Sequence, residues 1–251
     1  MGSTRLPGKV LKLLAGKAAI LQMLERVSKS QTLSELWLAT SDLPQDDELA
    51  EVVNQAGYRV FRGSESDVLS RFYDLAVATK ADVVVRMTGD CPLHDHQVID
   101  AVILAFLEQL EFTYASNVFP PSFPDGLDVE VFRFAALEYA HQTCHDPRER
   151  EHVTPGIHRQ NHPEPRPKIL NVAAPADFSH LRWTLDTPED LEFIQAAYER
   201  LNEHSEFTWW DILALMTREP RLLEINSQYQ RDWRFKDELN RKPFTDDQNP
   251  G

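Results

Sequence analysis

Cysteine is scarce in this sequence, since Cys91 and Cys144 are the only two among 251 residues. Two cysteines cannot build a disulfide framework, and no signal peptide is recognisable, so we expect a reducing, cytoplasmic location. Long apolar runs are also absent, because none reaches the roughly 18 residues that a membrane span needs. We therefore expect no association with a membrane.

Basic residues are few relative to acidic ones. The chain has 26 Lys and Arg against 40 Asp and Glu, which leaves a net charge of −14. A surface of this charge repels polyanions such as duplex DNA, which argues against a nucleic-acid partner. Any site for a phosphate group must therefore carry its own local positive charge.

The composition supports one folded domain. Hydrophobic residues make up 42% of the chain, which is enough for a single sizeable core. We assign residues 1–218 to this domain and residues 219–251 to a polar C-terminal tail, which we expect to be increasingly disordered.

Short β-branched runs alternate with longer amphipathic stretches along the domain. This alternation is typical of an α/β fold with a doubly wound, mostly parallel sheet. DVVVRM at 82–87 predicts a strand buried on both faces, and LRWTLD at 181–186 predicts another strand. The strict alternation of LDVEVF at 127–132 predicts a small antiparallel excursion, with one face packed and the other facing a ligand.

The first candidate site is the turn MGSTRLPGKVL at 1–11. Gly2 and Ser3 allow backbone N–H groups to approach an oxyanion, Arg5 can grip phosphate through its guanidinium fork, and Lys9 adds a point charge. These residue types favour a phosphate chain as ligand. They also form ordinary solvated loops, an alternative that the pattern alone leaves open.

Two carboxylates follow predicted strands, Asp90 in TGDCPL and Asp186 in LRWTLDTPEDL. Ligands of open α/β sheets bind at the carboxyl ends of strands, and Mg²⁺ is typically held by one or two carboxylates together with substrate phosphates. The alternative for Asp90 is a turn before proline. Helix capping explains most of the segment around Thr187 and Pro188, but it leaves Asp186 without a structural role.

Seven segments, in order from residue 1 to about 202, carry a family resemblance: MGSTRLPGKVL, ATSDLPQDDELA, FRGSESDVLSRFY, VVVRMTGDCPL, SNVFPPSFPDGLDVEVF, REREHVTP and LRWTLDTPEDL. Together they resemble the spore-coat polysaccharide biosynthesis cytidylyltransferase family. This family is similar to the synthetases of CMP-ketodeoxyoctonate and CMP-acylneuraminate. The resemblance implies the nucleotide-diphospho-sugar transferase fold, CTP or another nucleoside triphosphate, Mg²⁺, and a sugar or sugar-acid acceptor in surface polysaccharide biosynthesis.

The resemblance also implies roles for individual residues. Arg5 and Lys9 match the basic, catalytic pair of the triphosphate loop, and Asp90 and Asp186 match the two magnesium ligands. The nucleotide-binding positions are Gly2, Ser3, Arg5, Lys9, Ser64, Asp67 and Asp90. The acceptor-side positions are Asp125, Asp128, Glu130, Arg148, Arg150 and His152.

The sequence departs from the family pattern at its start. The family has a central strand of the form I-I-Q-A-R immediately before the position of Met1. Loss of a central strand would leave backbone groups unpaired, at about 1–3 kcal/mol each. We therefore expect a sheet that lacks its first central strand, from a misplaced start, a truncation or an inactive remnant.

Two other functions remain open. A glycosyltransferase of the related fold would need an Asp-x-Asp pair at a strand end, and no suitable pair is evident. A non-catalytic dimerisation module would follow if the first strand were lost. The apolar patch at Trp209 and Trp210 favours burial in the core or in a homodimer. Cys91 has no evident base beside it, so we interpret it as a packing residue.

Overall fold

The computed structural model describes residues 3–158, 167–201, 206–229 and 231. The strands are β1 (Leu13–Leu14), β2 (Lys17–Ala18), β3 (Trp37–Ser41), β4 (Arg59–Gly63), β5 (Val83–Arg86), β6 (Tyr114–Ser116), β7 (Glu130–Arg133) and β8 (Ile169–Asn171). The helices are α1 (Ala19–Val27), α2 (Asp47–Gln55), α3 (Val68–Thr79), α4 (His96–Leu107), α5 (Phe134–Thr143), α6 (Pro147–His152), α7 (Pro155–His158), α8 (Pro188–Leu201) and α9 (Trp209–Arg218). Short 3₁₀ turns cover Lys9–Leu11, Pro44–Asp46 and Pro220–Leu223.

The α/β class is confirmed, but the sheets are mixed rather than mostly parallel. Strands β3 and β4 form a parallel pair, and a four-stranded sheet has the order β5-β7-β6-β8. Strand β7 runs antiparallel to both β5 and β6, whereas β6 and β8 are parallel. The predicted antiparallel excursion therefore forms β7, which lies between β5 and β6. Its direction makes the four-stranded sheet mixed.

Strand β7 separates two parts of the hydrophobic core. Val129 and Val131 belong to the larger cluster with α1, α4 and α8, while Phe132 belongs to a second cluster with Leu137 of α5. Successive side chains of a strand point to opposite faces. This segment therefore contributes apolar side chains to both clusters. The face that we expected to be turned towards a ligand is therefore buried at Phe132.

Strands β1 and β2 form a separate antiparallel pair. The β3–β4 pair and the four-stranded sheet do not join among the described residues, where β3 pairs only with β4 and β5 pairs only with β7. A cavity of about 920 Å³ is lined by both β3 and β5, together with apolar side chains of α1. We call it the β3–β5 cavity. The prediction that 82–87 is buried on both faces is wrong, because Val83–Arg86 are only half-buried. The open edge of β5 beside this cavity accounts for the difference.

The segment at 148–158 is helical with an interruption before Pro155. Helix α6 ends at His152, Val153 adopts a φ of +69°, and α7 begins at Pro155. Gly156 permits the close approach of α7 to α5, since a Cβ there would lie 2.3 Å from the Cys144 sulfur. In the described part of the chain, no helix is both long and apolar enough to cross a bilayer.

Described residues after α9 remain in contact with the domain as far as residue 231. Leu222 is buried, and the Asn226 amide donates to the Arg182 carbonyl and to Asp190 at 2.9 Å each. Residues 232–251 of the predicted tail lie outside the described residues.

His94 is a buried histidine, and neither of its ring nitrogens has a hydrogen-bond partner among the described residues. Burial, reinforced by nearby Arg26, lowers the pKa of His94 to about 3. The unfolded chain therefore binds this proton at higher pH than the folded chain. The resulting penalty is absent above the unfolded pKa of about 6.5 and grows as the pH falls towards 3.

We predict that His94→Leu makes the protein less sensitive to acid. Between pH 6 and pH 4, the unfolding free energy of the wild type should fall by up to about 1.4 kcal/mol more per pH unit than that of the variant. Urea unfolding at several pH values measures this slope. His145→Gln, at an exposed histidine, is the matched control, and equal slopes in wild type and His94→Leu would contradict the prediction.

Candidate active site

The basic turn is folded by local contacts. The Leu6 N–H donates to the Ser3 hydroxyl at 3.3 Å, and Gly8 adopts a φ of +64° before the 3₁₀ turn that carries Lys9. This left-handed conformation favours glycine, which explains its place before Lys9. Gly2 lies outside the described residues.

Lys9 lies between the two carboxylates that follow the predicted strands. Its ammonium is 2.5 Å from an Asp90 oxygen and forms a second ion pair with Asp186. Arg5 is 3.5 Å from the other Asp186 oxygen. The structure therefore brings together Arg5, Lys9, Asp90 and Asp186, of which the last three form what we call the lysine–aspartate cluster.

The charges in this cluster favour the ionised forms of Lys9 and Asp186. Burial acts to lower the pKa of Lys9, but Asp90 and Asp186 outweigh that effect and the pKa of Lys9 is raised. Burial likewise acts to raise the pKa of Asp186, but Lys9, Arg5 and Arg182 hold it below its usual value. Lys9 is thus a fixed cation and Asp186 a fixed anion at neutral pH.

Backbone hydrogen bonds hold the two acids next to each other. The Leu185 N–H donates to the Asp90 carbonyl at 2.8 Å, which ties the turn after β5 to the segment at 181–186. That segment was predicted to be a strand, but it makes one isolated bridge, between Arg182 and Asp125. Its N–H groups at Trp183 and Leu185 bond instead to the turns at Asp125 and Asp90.

A second ion-pair network supports Asp186, and sequence analysis missed it. Arg182 donates to both oxygens of the fully buried Asp190 at 2.9 Å, and lies 3.3 Å from Asp186. Asp190 also accepts the N–H groups of Asp186 and Thr187 at 3.0 Å. An acid in the first turn of a helix was explained as capping, so nothing in the pattern marked its pairing with Arg182.

The cluster fits a divalent cation held jointly with phosphate oxygens. Carboxylates from two distant segments already converge on one positive group, the Lys9 ammonium. In residues 3–158, 167–201, 206–229 and 231, no group of three or more His, Cys, Asp or Glu side chains could hold a metal ion alone. Magnesium suits such a site, because it commonly takes one or two carboxylates and completes its shell with water and phosphate.

Two of the carboxylates that the resemblance assigns to the acceptor side, Asp125 and Asp128, lie in the same region. Arg182 contacts Asp125 at 3.4 Å as well as Asp186. Burial and the neighbouring Asp128 raise the pKa of Asp125 to about 7, despite Arg231 and Arg182. Asp128 is paired with Arg231. This part of the chain therefore combines a carboxyl group that titrates near neutrality with a second carboxylate bound to arginine.

Glu130, the third acceptor-side carboxylate, holds neighbouring strands together. It is buried, lies 2.5 Å from Arg86 and accepts the Tyr114 hydroxyl at 2.6 Å. Burial acts to raise the pKa of Glu130, but Arg86, Thr154 and Tyr114 lower it. Its oxygens are occupied by partners on β5 and β6, so its contacts are structural.

Ser64, Asp67 and Arg150 form a separate cluster. Asp67 caps α3 by accepting the Ser70 N–H at 2.9 Å, while its own N–H donates to the Ser64 hydroxyl at 3.0 Å. Arg150 donates to Asp67 at 2.9 Å and to the Cys144 carbonyl at 2.8 Å. The sequence assigned Asp67 to the nucleotide and Arg150 to the acceptor, yet here they contact each other and join α3 to α6.

The last two acceptor-side candidates lie on α6. Arg148 pairs with Asp146, the cap of its own helix, and half of its side chain is exposed. His152 lines the β3–β5 cavity.

Cys91 is buried next to Asp90, and burial, followed by the Asp90 charge, raises its pKa well above the usual value. A thiol held in its protonated form is a poor nucleophile, in line with its interpretation as a packing residue.

The chain is an α/β protein in which two basic and two acidic side chains, Arg5, Lys9, Asp90 and Asp186, lie together. The model of the cytidylyltransferase family matches residues 1–208. The chain belongs to this family, which confirms the resemblance seen in the sequence.

Individual proteins that are similar to this chain agree with the family assignment. The chain is 35% identical to the spore coat polysaccharide biosynthesis protein SpsF of Bacillus subtilis, over 88% of this chain and 92% of SpsF. It is similar in structure to a cytidylyltransferase from Leptospira borgpetersenii, with a TM-score of 0.83 and 32% identity, over 89% of this chain and 92% of that one. A CMP:2-keto-3-deoxy-manno-octonic acid synthetase complexed with CTP shares the fold, with a TM-score of 0.57 and 18% identity over 79% of this chain and 95% of the other.

Proposed function

We propose that this chain transfers a cytidylyl group from CTP to a hydroxyl of a sugar or sugar acid and releases pyrophosphate, in the synthesis of a surface polysaccharide. The observation that carries the proposal is the convergence of Lys9, Arg5, Asp90 and Asp186. Family membership and the SpsF relative supply the nucleotide and the context.

The residues of the site would act through charge and position. The acceptor oxygen forms a bond to the α-phosphorus, the bond from that phosphorus to the bridging oxygen breaks, and pyrophosphate leaves. The proton of the acceptor hydroxyl passes to solvent. Arg5 and Lys9 would bind the triphosphate and stabilise the negative charge that builds on its oxygens. Asp90 and Asp186 would hold a magnesium ion, which when bound would neutralise charge on the phosphates. Lys9 would then exchange its carboxylate partners for phosphate oxygens.

The proposal is tested by incubating the protein with CTP, Mg²⁺ and candidate sugar acids such as 3-deoxy-manno-octulosonate and N-acetylneuraminate. We expect pyrophosphate release that depends on both CTP and Mg²⁺, and a CMP-linked product. Consumption of a UDP-sugar without pyrophosphate release would instead support the glycosyltransferase. If CTP produces no rise in melting temperature in a folded protein, the non-catalytic module is favoured.

We also propose that a further strand fills the β3–β5 cavity in the active protein. Both strands have an open edge among the described residues, and apolar side chains of both strands, of α1 and of α3 line the cavity. Lys9 and Asp90 line the same cavity. A strand in this position would lead directly into the basic turn, which supports the family's I-I-Q-A-R strand as its occupant.

Fusing I-I-Q-A-R in front of Met1 tests this idea. Each newly paired backbone group contributes about 0.5–1.5 kcal/mol, so the fused chain should melt several degrees higher than the chain as given and should bind CTP more tightly. The matched control carries P-P-Q-A-R, because proline lacks the N–H that the sheet requires. Equal melting temperatures for the two fusions would rule out the cavity as a strand site.

A homodimer is a further part of the proposal. The ring of Trp210 is 47% exposed and stacks edge-on against Phe178 at 6.3 Å between ring centroids. Phe178 is half-buried, so Trp210 is the exposed member of the pair, and exposed aromatic side chains are enriched at interfaces. Sedimentation at several concentrations is expected to show a dimer that Trp210→Glu dissociates, and a wild-type monomer at every concentration would oppose it.

A further inference from the structure

Arg231 reaches the acceptor side from beyond the region that the family model covers. The model ends at residue 208. One Arg231 nitrogen lies 2.5 Å and 2.6 Å from the two oxygens of Asp128, and another donates to the Phe123 carbonyl at 3.3 Å. The Arg231 side chain is 9% exposed. This is a partly buried, charge-assisted contact between the C-terminal segment and the turn that carries Asp125, since the Asp128 side chain is 34% exposed.

The charges around this contact show what Arg231 contributes. Asp125 and Asp128 repel each other, and Asp90 adds to the negative field at Asp125. Lys9 is engaged by Asp90 and Asp186, and Arg182 by Asp190, Asp125 and Asp186. Among the contacts of the described residues, Arg231 is the charged partner of Asp128. Burial raises the pKa of Asp128, and the Glu130 charge adds to this, while Arg231 and to a smaller extent Arg86 act to lower it. Without Arg231, the carboxylate would lose its direct ion-pair partner.

We propose that Arg231 is a positioning residue for the sugar acceptor, which acts by fixing Asp128 as an ionised carboxylate on the acceptor side. This inference rests on the proposed function. An ionised carboxylate accepts hydrogen bonds from sugar hydroxyls, and such charge-assisted bonds are stronger than neutral ones. A protonated or reoriented Asp128 would lose that capacity. Arg231 thereby links the C-terminal segment to acceptor recognition.

The kinetic test compares Arg231→Gln, Arg231→Lys and Arg221→Gln. Arg221 is an exposed arginine of the same segment that pairs with Glu219, and it is the matched control. With 3-deoxy-manno-octulosonate and N-acetylneuraminate as acceptor probes, we expect Arg231→Gln to raise the acceptor KM about tenfold, the effect of one lost charge-assisted hydrogen bond. The KM for CTP should change less than twofold, and Arg231→Lys should restore part of the acceptor KM. An equal rise in both KM values, or in neither, would overturn the proposal.

A second measurement does not depend on turnover. Carbon-13 NMR of labelled aspartate follows the titration of Asp128 in the wild type and in the variants. Removing a neighbouring positive charge should raise the Asp128 pKa by at least about one unit in Arg231→Gln, with no change in Arg221→Gln. If the titration of Asp128 is unchanged in Arg231→Gln, the positioning role of Arg231 is contradicted, whether or not the enzyme turns over. A wild-type enzyme inactive with CTP counts instead against the proposed function.

Discussion

Replacing Asp186 with asparagine is expected to lower kcat for pyrophosphate release by about 10²- to 10³-fold, the range found when one electrostatic contact to a transition state is removed. Asp186 pairs with Lys9, Arg5 and Arg182, so its negative charge holds three cationic side chains close together. Asparagine has nearly the same shape but cannot supply that charge. The loss should therefore appear in catalysis rather than in folding.

The fold should survive this substitution because Arg182 keeps its contacts with the buried Asp190. Steady-state kinetics and a melting curve on the same preparation separate the two effects. Asp177→Asn is the matched control, since Asp177 is exposed and bonds only locally to the Ser179 N–H at 2.9 Å. An Asp186→Asn enzyme that is folded and keeps more than half of the wild-type kcat would remove Asp186 from the proposed site.

Gly126→Ala is expected to destabilise the protein by about 3 kcal/mol or more, since it combines backbone strain with a steric clash. Gly126 has a φ of +109°, and a Cβ there would lie 2.7 Å from the Trp183 carbonyl carbon and 2.9 Å from the Thr184 nitrogen. Both are backbone atoms, so no side-chain rotation can relieve the contact. The Trp183 N–H also donates to the Asp125 carbonyl at 2.6 Å. A shift of the Trp183 backbone would therefore also move the turn that carries Asp125.

Gly57→Ala separates the two causes. Gly57 also has a positive φ, +85°, but a Cβ there meets nothing within 4 Å. Urea unfolding should show a loss of about 1 kcal/mol for Gly57→Ala, from backbone conformation alone, and a much larger loss for Gly126→Ala. Equal losses at the two positions would show that the contact with Trp183 contributes nothing.

The parts of the site that could be predicted are those that the local sequence encodes. Charge type, small residues and position after an apolar run mark Arg5, Lys9, Asp90 and Asp186 without knowledge of the fold. Their convergence was an inference from the sheet-edge rule for α/β proteins. The structure brings Lys9 into contact with Asp186 across 177 residues of sequence, but the catalytic and metal-binding roles of these residues stay predictions.

The parts that could not be predicted depend on contacts that the local pattern does not encode. Arg231 and Asp128 are 103 residues apart, and nothing near either residue marks the other as its partner. Residues 181–185 are buried without alternation, since Arg182 and Thr184 are buried together with Leu181, Trp183 and Leu185. The N–H groups of Trp183 and Leu185 bond to turns instead of a neighbouring strand. A run of apolar and β-branched residues predicts burial, but it does not identify the partner of the backbone.

The most direct test of the account is calorimetric titration of the protein with CTP, with and without Mg²⁺, for the wild type and Lys9→Met. Methionine keeps the length of the side chain and removes its charge. We predict that CTP binds the wild type, that Mg²⁺ strengthens the binding, and that Lys9→Met weakens it at least tenfold, which corresponds to about 1.4 kcal/mol. A folded Lys9→Met protein that binds CTP as tightly as the wild type would contradict the assignment of the basic turn and the lysine–aspartate cluster to the triphosphate.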